Sequence, residues 1–371
     1  MVVYPLIFQP IFKLKPWGGR RMETILGKRL PAHVAIGESW EISDLEGHES
    51  IVASEQASGK TLHQLLREWG EALYGRAPLI DGRFPLLIKF IDAREPLSIQ
   101  VHPGRPAAER DQGANSKEQI KRNFKEEAWF VIEAAPDAFM YRGLRPGVDL
   151  AAVERALKEN RIEELLQRQA VRTGHCYFIP GGTVHSLGGG TLVAEIQTPC
   201  DITYRLNDWG RIDSATGAPR ELHIQESLDC MRLKPADYAE ERKEHVGSVW
   251  TSVTTLIRSD AFIVERVRMV EGVVQQIPYD EMVIWIVLEG GGIIHHGGPE
   301  SPTRFAAGDT VLLPAGLRDG KVETQTSSCW LEVTLPVASS LAGLERPERR
   351  ELAAPGMGER YVPLRVPRQG S

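Results

Sequence analysis

Apolar runs of about four to eight residues, set off by glycine and proline, dominate the chain: 84–91, 129–132, 176–179, 192–196, 262–267, 283–288 and 310–313. Runs of that length bounded by turn residues predict strands, and their number predicts an all-β sandwich or barrel. Only two segments carry helical spacing. In 61–74, Leu62, Leu65, Leu66 and Trp69 share one face; in 149–171, Leu150, Val153, Leu157, Ile162, Leu165 and Leu166 do so. Helices are therefore expected as decoration on strands.

A faint internal repeat shapes the expected architecture more than either helix. Gly174, five residues, then Pro180-Gly181-Gly182 recurs as Gly308, five residues, then Pro314-Ala315-Gly316. Trp129 and Glu133 lie over Trp285 and Glu289 at one offset of 156, and Gln100 to Pro103 lies over Gln275 to Pro278. A duplication of this kind predicts two similar β-barrels with a boundary near 235–250. The expected domains are 1–240 and 241–371.

Composition narrows the class of partner. The chain has 371 residues, 42% of them hydrophobic, enough for two cores. Lys and Arg number 44 against 50 Asp and Glu, a net charge of −6, so no global positive field exists to hold nucleic acid. The apolar runs are strand-sized and the N-terminus lacks the pattern of a leader, so an unexported chain without a membrane partner is expected. Four scattered cysteines, Cys176, Cys200, Cys230 and Cys329, suit reduced thiols in a cytoplasm. The segment 346–371, with six arginines, three acids and four prolines, is open between an ordered strap and a loose tail.

Candidate chemistry gathers in the first half. His185 follows the turn Pro180-Gly181-Gly182, where a return strand would aim its imidazole into a barrel mouth. Gln100 and His102 alternate on one strand and so share a face, while Leu97, Ile99 and Val101 lie opposite. Glu127 opens another apolar strand. Two imidazoles, a carboxylate and an amide oxygen make a plausible first set of ligands for a borderline divalent ion such as zinc, with positions left open. At the repeated positions the second half has Ile277, Val283 and Asp319 for His102, Glu127 and His185, so only the first barrel would bind metal.

These fragments, with KPWGG at 15–19, IGESWEIS at 36–43, Lys125 to Trp129 and EIQTPCDITYRLND at 195–208, resemble the type I mannose-6-phosphate isomerases. The motifs cover about residues 10–235 in family order, although Gly189 stands where many cupins have Asn. The resemblance implies a mainly β fold of two cupin-like jelly-roll barrels with a few peripheral helices. It also implies one zinc ion per chain on Gln100, His102, Glu127 and His185, and it points to Lys89, Lys125, Glu195, Asp201 and Arg205 as further site residues. With 58 residues from Glu127 to His185, the chain is similar to the compact bacterial subgroup, which lacks the helical insertion of longer members.

The activity so implied is aldose–ketose isomerisation of mannose 6-phosphate and fructose 6-phosphate through a cis-enediolate, in a monomer or small homo-oligomer. A metal ion can stabilise the developing oxyanion while a group of near-neutral pKa moves the proton. Arg205 suits phosphate or enediolate, because guanidinium stays charged and forks onto paired oxygens. Lys89 and Lys125 suit phosphate binding or, if desolvated, acid–base work. Each has a plainer reading. Arg205 could form a surface ion pair with Asp201 or Asp208, Lys125 could be solvated beside Glu126, and Glu195 could be a buried supporting carboxylate. Trp17 and Trp40 could frame a sugar or simply fill a core. Lys89 is less ordinary, since a lysine within LLIKFI must reach a cavity or a partner. Two other functions stay open: an oxidoreductive or isomerising cupin of the same fold using iron or manganese on another substrate, which iron content with oxygen consumption would favour, and a non-catalytic sugar-phosphate binder that exchanges no proton.

Overall fold

The computed structural model describes residues 3–53, 57–104, 124–212, 217–234, 245–297 and 302–337. The architecture is mainly β, as expected, and the repeat is written in its strand order. A six-stranded antiparallel sheet runs Cys176–Ile179, Glu127–Ala134, Thr191–Gln197, Leu87–Ala93, Glu38–Ile42, Ile11–Lys13. A seven-stranded sheet repeats that order as Thr310–Leu313, Val283–Glu289, Ser328–Thr334, Ile263–Met269, Thr251–Arg258, His245–Gly247, with Leu6–Ile7 added beyond Thr310–Leu313. Each large sheet faces a smaller one. The first is Leu166–Ala170, Phe139–Leu144, His185–Leu187, Ile99–Val101, Tyr204–Asn207; the second is Thr303–Ala306, Gly291–His295, Lys321–Thr324, Val274–Gln276. Two cupin-like barrels result.

Alternation along the strands explains why their sequences read as unbroken apolar runs. Trp129, Val131, Val193 and Ile179 point into the first barrel, and Trp285, Val287, Trp330 and Val311 into the second. Their neighbours Ala128, Phe130, Ala194 and Ile88 form a third core with Ile284, Ile286, Leu331 and Val333 between the two large sheets. Both faces of these strands are thus buried, so polar alternation is lost. At about 25 cal/mol per Å² of apolar surface removed from water, such a shared core is a main source of stability.

The helix expected over 61–74 is present as Leu62–Trp69 and Glu71–Tyr74, started by a capping box between Thr61 and Gln64. The one expected over 149–171 is only half right. Its helix spans Leu150–Lys158, capped by Asp149, and Asn160 then takes φ 53°. That left-handed residue stops the helix, and the chain continues as a 3₁₀ turn, Ile162–Leu165, and the edge strand Leu166–Ala170. Leu165 and Leu166 therefore share a helical spacing without sharing a helix. Segment 346–371 lies outside the described residues. Cys200, Cys230 and Cys329 are buried free thiols, and burial pushes the thiol of Cys200 up to about 11. Among the described residues no helix is long and apolar enough to cross a membrane.

Candidate metal centre and active site

Strand register assembles the centre. In the smaller sheet of the first barrel, His185 stands opposite Gln100, and Gln100 stands opposite Arg205, a row of three across adjacent strands. His102 follows the Gln100 strand, and Glu127 opens its own strand in the facing sheet. The turn that delivers His185 has no room for a side chain at Gly181, where a Cβ would lie 2.7 Å from Pro103 O and from Lys125 O. Gly182, at φ 83°, donates from its N–H to His102 O at 2.7 Å. The loops bearing His102, Lys125 and His185 are thereby fastened together.

Hydrogen bonding fixes how the two imidazoles face the centre. His102 Nδ1 is 2.9 Å from Ile202 O and His185 Nδ1 is 2.8 Å from Thr183 O. A carbonyl only accepts, so each Nδ1 carries the proton and each Nε2 turns a lone pair inward. His102 Nε2 lies 3.4 Å from Glu127 Oε2, and His185 Nε2 lies 3.2 Å from Glu127 Oε1. These are acceptors meeting acceptors. His102 Nε2 and Glu127 Oε1 are buried without a hydrogen-bond donor, Glu127 Oε2 has the Lys125 ammonium at 3.2 Å, and the three residues' ligand atoms lie within 4.8 Å of one another. A divalent cation satisfies all of them at once, with N and O donors of the kind zinc takes. Burial first, then the Lys125 charge, holds His102 down to about 3, so it is the neutral ligand form. The Gln100 side chain reaches His185 Nε2 at 3.3 Å through its amide nitrogen, with its oxygen on Ser98. Rotating that amide by half a turn would offer the oxygen instead.

Above the centre opens a polar cavity of about 270 Å³. Trp17, Lys89, Gln100, Lys125, Glu127, Glu195, Asp201 and Arg205 all line it, while His102 and His185 lie behind Glu127. Lys89 has the partners its sequence demanded: Nζ is 3.2 Å from Glu195 Oε1 and 3.7 Å from Glu38 Oε2. Burial disfavours its charge, yet Glu195 and Glu38 hold its pKa above the ordinary lysine value. For Glu195, burial is the larger influence and pushes the carboxyl up to about 7, against the pull of Lys89. Glu38 is held down to about 2: burial works against this, but Lys89 and then Lys15 outweigh it. Lys125 Nζ sits 3.2 Å from Glu127 Oε2 rather than in solvent. Arg205 is not paired with Asp208, which is taken by Arg211 and Arg220; it donates instead from Nη1 to Glu221 O at 2.8 Å. Trp17 both lines the cavity and packs beside Trp129, whereas Trp40 stays behind it, donating to Glu38 at 2.8 Å.

The reading from sequence missed Lys15, Glu38, Ser98, Thr203 and Arg220 as cavity residues. Lys15 and Glu38 stood within the motifs KPWGG and IGESWEIS, and a carboxylate in an otherwise buried strand was the available signal. Arg220 lies far along the chain on a loop and gave none.

The second barrel keeps the frame without the chemistry. Trp285 donates to Glu332 at 3.2 Å just as Trp129 donates to Glu195 at 3.2 Å. Opposite Glu332 stands Glu265, where Lys89 stands opposite Glu195, and Val283 replaces Glu127. The register corrects two of the matches made by sequence. Lys321 opposite Gln276 occupies the place of His185 opposite Gln100, because the turn after Pro314 is two residues longer. His295, at the end of the strand Gly291–His295, is bound to Glu323 at 2.7 Å.

The family model "Phosphomannose isomerase type I, catalytic domain" matches residues 6–142. The curated mannose-6-phosphate isomerase ManA of Bacillus subtilis is 33% identical over 325 residues, 87% of this chain and 97% of that protein. The chain belongs to the type I mannose-6-phosphate isomerases. Membership makes it an enzyme of the aldose–ketose isomerase type. The crystal structure of the mannose 6-phosphate isomerase from Bacillus subtilis superposes with a TM-score of 0.79 at 28% identity, covering 90% of this chain and all (100%) of that one. A mannose 6-phosphate isomerase bound with zinc and yttrium has a TM-score of 0.66 at 16% identity, covering 90% of this chain and 100% of its own, and shares the fold.

Proposed function

We propose that the chain interconverts mannose 6-phosphate and fructose 6-phosphate through a cis-enediolate, with one zinc ion per chain held by Gln100, His102, Glu127 and His185. The observation that carries this reading is the buried convergence of His102, Glu127 and His185 ligand atoms within 4.8 Å of one another, with His102 Nε2 and Glu127 Oε1 lacking any donor, at the floor of a polar cavity. When bound, the ion supplies Lewis acidity toward the sugar oxygens, lowering the cost of charge developing on them. The chain's own residues divide the remaining work. Arg205, next to Gln100 in the strand row, offers a permanent positive charge to the enediolate oxygens. Lys125 Nζ, 3.2 Å from Glu127, keeps that carboxylate ionised as a ligand and adds positive charge at the reacting end. Lys89 holds Glu38 and Glu195 in position, so that sugar hydroxyls meet fixed acceptors. Glu195, with affinity near neutrality, can take and return a proton at its carboxylate oxygens. Asp201 and Trp17 complete the wall against which the sugar lies.

Residues 1–240 carry this site, and 241–371, centred on the degenerate barrel, support it. A cytoplasmic setting accords with the buried thiols, and a monomer or small homo-oligomer is proposed, with a small phosphorylated sugar and no nucleic acid or membrane as partner. Turnover of mannose 6-phosphate in heavy water tests the chemistry. Deuterium should enter C1 of the fructose 6-phosphate formed, read by NMR. A product wholly protiated at C1 after many turnovers would overturn the enediolate route, and no turnover by folded, zinc-loaded chain would overturn the activity.

A further inference from the structure

A fully buried amide stands directly beside the centre without lining its cavity. Gln197 ends the strand Thr191–Gln197 opposite Glu127, two positions beyond Glu195 on the same face, and has no exposed surface. Its Nε2 donates to Thr198 O at 3.1 Å and to Cys200 O at 2.6 Å. Carbonyls only accept, so the orientation of the amide is fixed, with both N–H groups spent and Oε1 buried without a partner. An unpaired buried acceptor costs stability, so what the residue offers this position is the nitrogen end.

Those two donors hold a segment that has no strand of its own. Residues 198–203 connect Thr191–Gln197 to Tyr204–Asn207 and bring Asp201 and Thr203 to the cavity. Between them lies Ile202, whose carbonyl accepts from His102 Nδ1 at 2.9 Å. Thr198 pins the start of the segment: its Oγ1 donates to Phe124 O at 2.8 Å and its backbone N–H to Glu126 O at 3.2 Å. The Cys200 N–H turns back to Thr198 O at 2.7 Å, and Gln197 grips Cys200 O, two residues before the carbonyl that orients His102. The repeat supplies an internal comparison. In the second barrel Thr334 stands opposite Val283, as Gln197 stands opposite Glu127 in the first. That barrel keeps the indole–carboxylate pair Trp285–Glu332 in the place of Trp129–Glu195, yet lacks both the Glu127 carboxylate and the amide. Gln197 thus goes with the ligand set, not with the barrel frame.

We propose that Gln197 is a positioning residue for the metal centre: by holding Cys200 O it keeps Ile202 O on His102 Nδ1, and so keeps the lone pair of His102 Nε2 free for the ion. The other tautomer places a hydrogen on Nε2, where no metal can then bind. Without the amide the segment is released, and His102 divides between the two tautomers. This rests on the metal reading of His102 proposed above and names what sets the tautomer of that ligand.

Gln197→Met keeps the volume and removes both donors. Zinc affinity, read by competition with a chromophoric chelator, should fall by about 10- to 100-fold, the range for losing a group that orients a metal ligand. Turnover at saturating zinc should stay within a few fold of the parent, because only the ligating tautomer carries zinc. On metal-free protein, long-range proton–nitrogen NMR should place the His102 ring proton on Nδ1 in the parent and on either nitrogen in the variant, with the signals assigned by their absence from His102→Ala. Ile196→Val, on the opposite face of the same strand in the core between the barrels, should lower the melting temperature and leave affinity and tautomer unchanged. Gln197→Asn, whose amide stops one methylene short of Cys200 O, should move both readouts in the same direction and serves where Gln197→Met does not fold. Unchanged zinc affinity in a folded variant, or a lower affinity with His102 still wholly protonated on Nδ1, would overturn the proposal. A folded parent that binds no zinc would overturn the metal reading instead; the tautomer comparison on metal-free protein would then decide the role of Gln197, a shift supporting it and none overturning it.

Discussion

Replacing Lys89 by Met removes the cation between two buried carboxylates and leaves the surrounding packing volume nearly intact. Glu38 would keep Lys15 at 3.1 Å and the Trp40 indole at 2.8 Å, but Glu195 would keep only the Trp129 N–H at 3.2 Å. Breaking a buried pair by deleting one partner costs roughly 3–5 kcal/mol. Glu195 can escape part of that cost by staying protonated, since its carboxyl is at about 7 even beside Lys89 and must rise further without it. The loss should therefore be about 3 kcal/mol near neutrality and grow as pH rises. The sign follows from linkage: a carboxyl raised in the folded state binds a proton that the unfolded chain has released, so stability falls with pH between the two pKa values. The slope is about 1.4 kcal/mol per pH unit for one proton. Urea unfolding followed by tryptophan fluorescence, at pH 6.5 and 8.5, is the assay. With a slope on the order of 3 kcal/mol per molar urea, the midpoint should drop by about 1 M and more at the higher pH. Lys89→Met/Glu195→Leu, which removes both charges, should regain most of the stability but no turnover. A single variant whose midpoint matches the parent at both pH values would refute the reasoning.

Further outcomes follow from the same geometry. His102→Ala should lose metal and turnover together, whereas Arg205→Ala should keep the metal and lose turnover, as read by metal analysis beside the activity assay. Gly181→Ala would drive a Cβ to 2.7 Å from Pro103 O and Lys125 O, so thermal melting should show a loss of about 2 kcal/mol or more, and metal affinity should fall with it. Glu38, held down to about 2, contributes stability that is present above its unfolded value near 4.3 and lost as pH falls through its folded value. Glu38→Gln should therefore flatten the stability profile between about pH 4.5 and 2, removing on the order of 3 kcal/mol of pH dependence; an unchanged acid limb would contradict the assignment.

Much of this site could be read along the chain because strand alternation is local. Gln100 and His102 share a face by a period of two, Glu127 opens an apolar strand, and Lys89 stands out in LLIKFI as a charge that needs partners. What those partners are depends on register between distant strands, which no local pattern reports. Glu195 meets Lys89 only because Thr191–Gln197 pairs with Leu87–Ala93, and Glu38 joins them from a third strand. Arg220 and Asp208 are harder still, being polar residues that meet across a loop. The same limit explains the overlong helix: leucine spacing continues past Lys158, but the left-handed Asn160 ends it. Strands buried on both faces were visible as apolar runs, while the core between the two barrels that makes them so was not.

The most direct test of the central claim is a coupled assay for fructose 6-phosphate formation from mannose 6-phosphate, with metal content measured on the same sample before and after chelation. The account predicts turnover with about one zinc per chain, loss of both on chelation, and return of both when zinc is restored. Full activity in metal-free protein, or a folded, zinc-loaded chain with none, would contradict it.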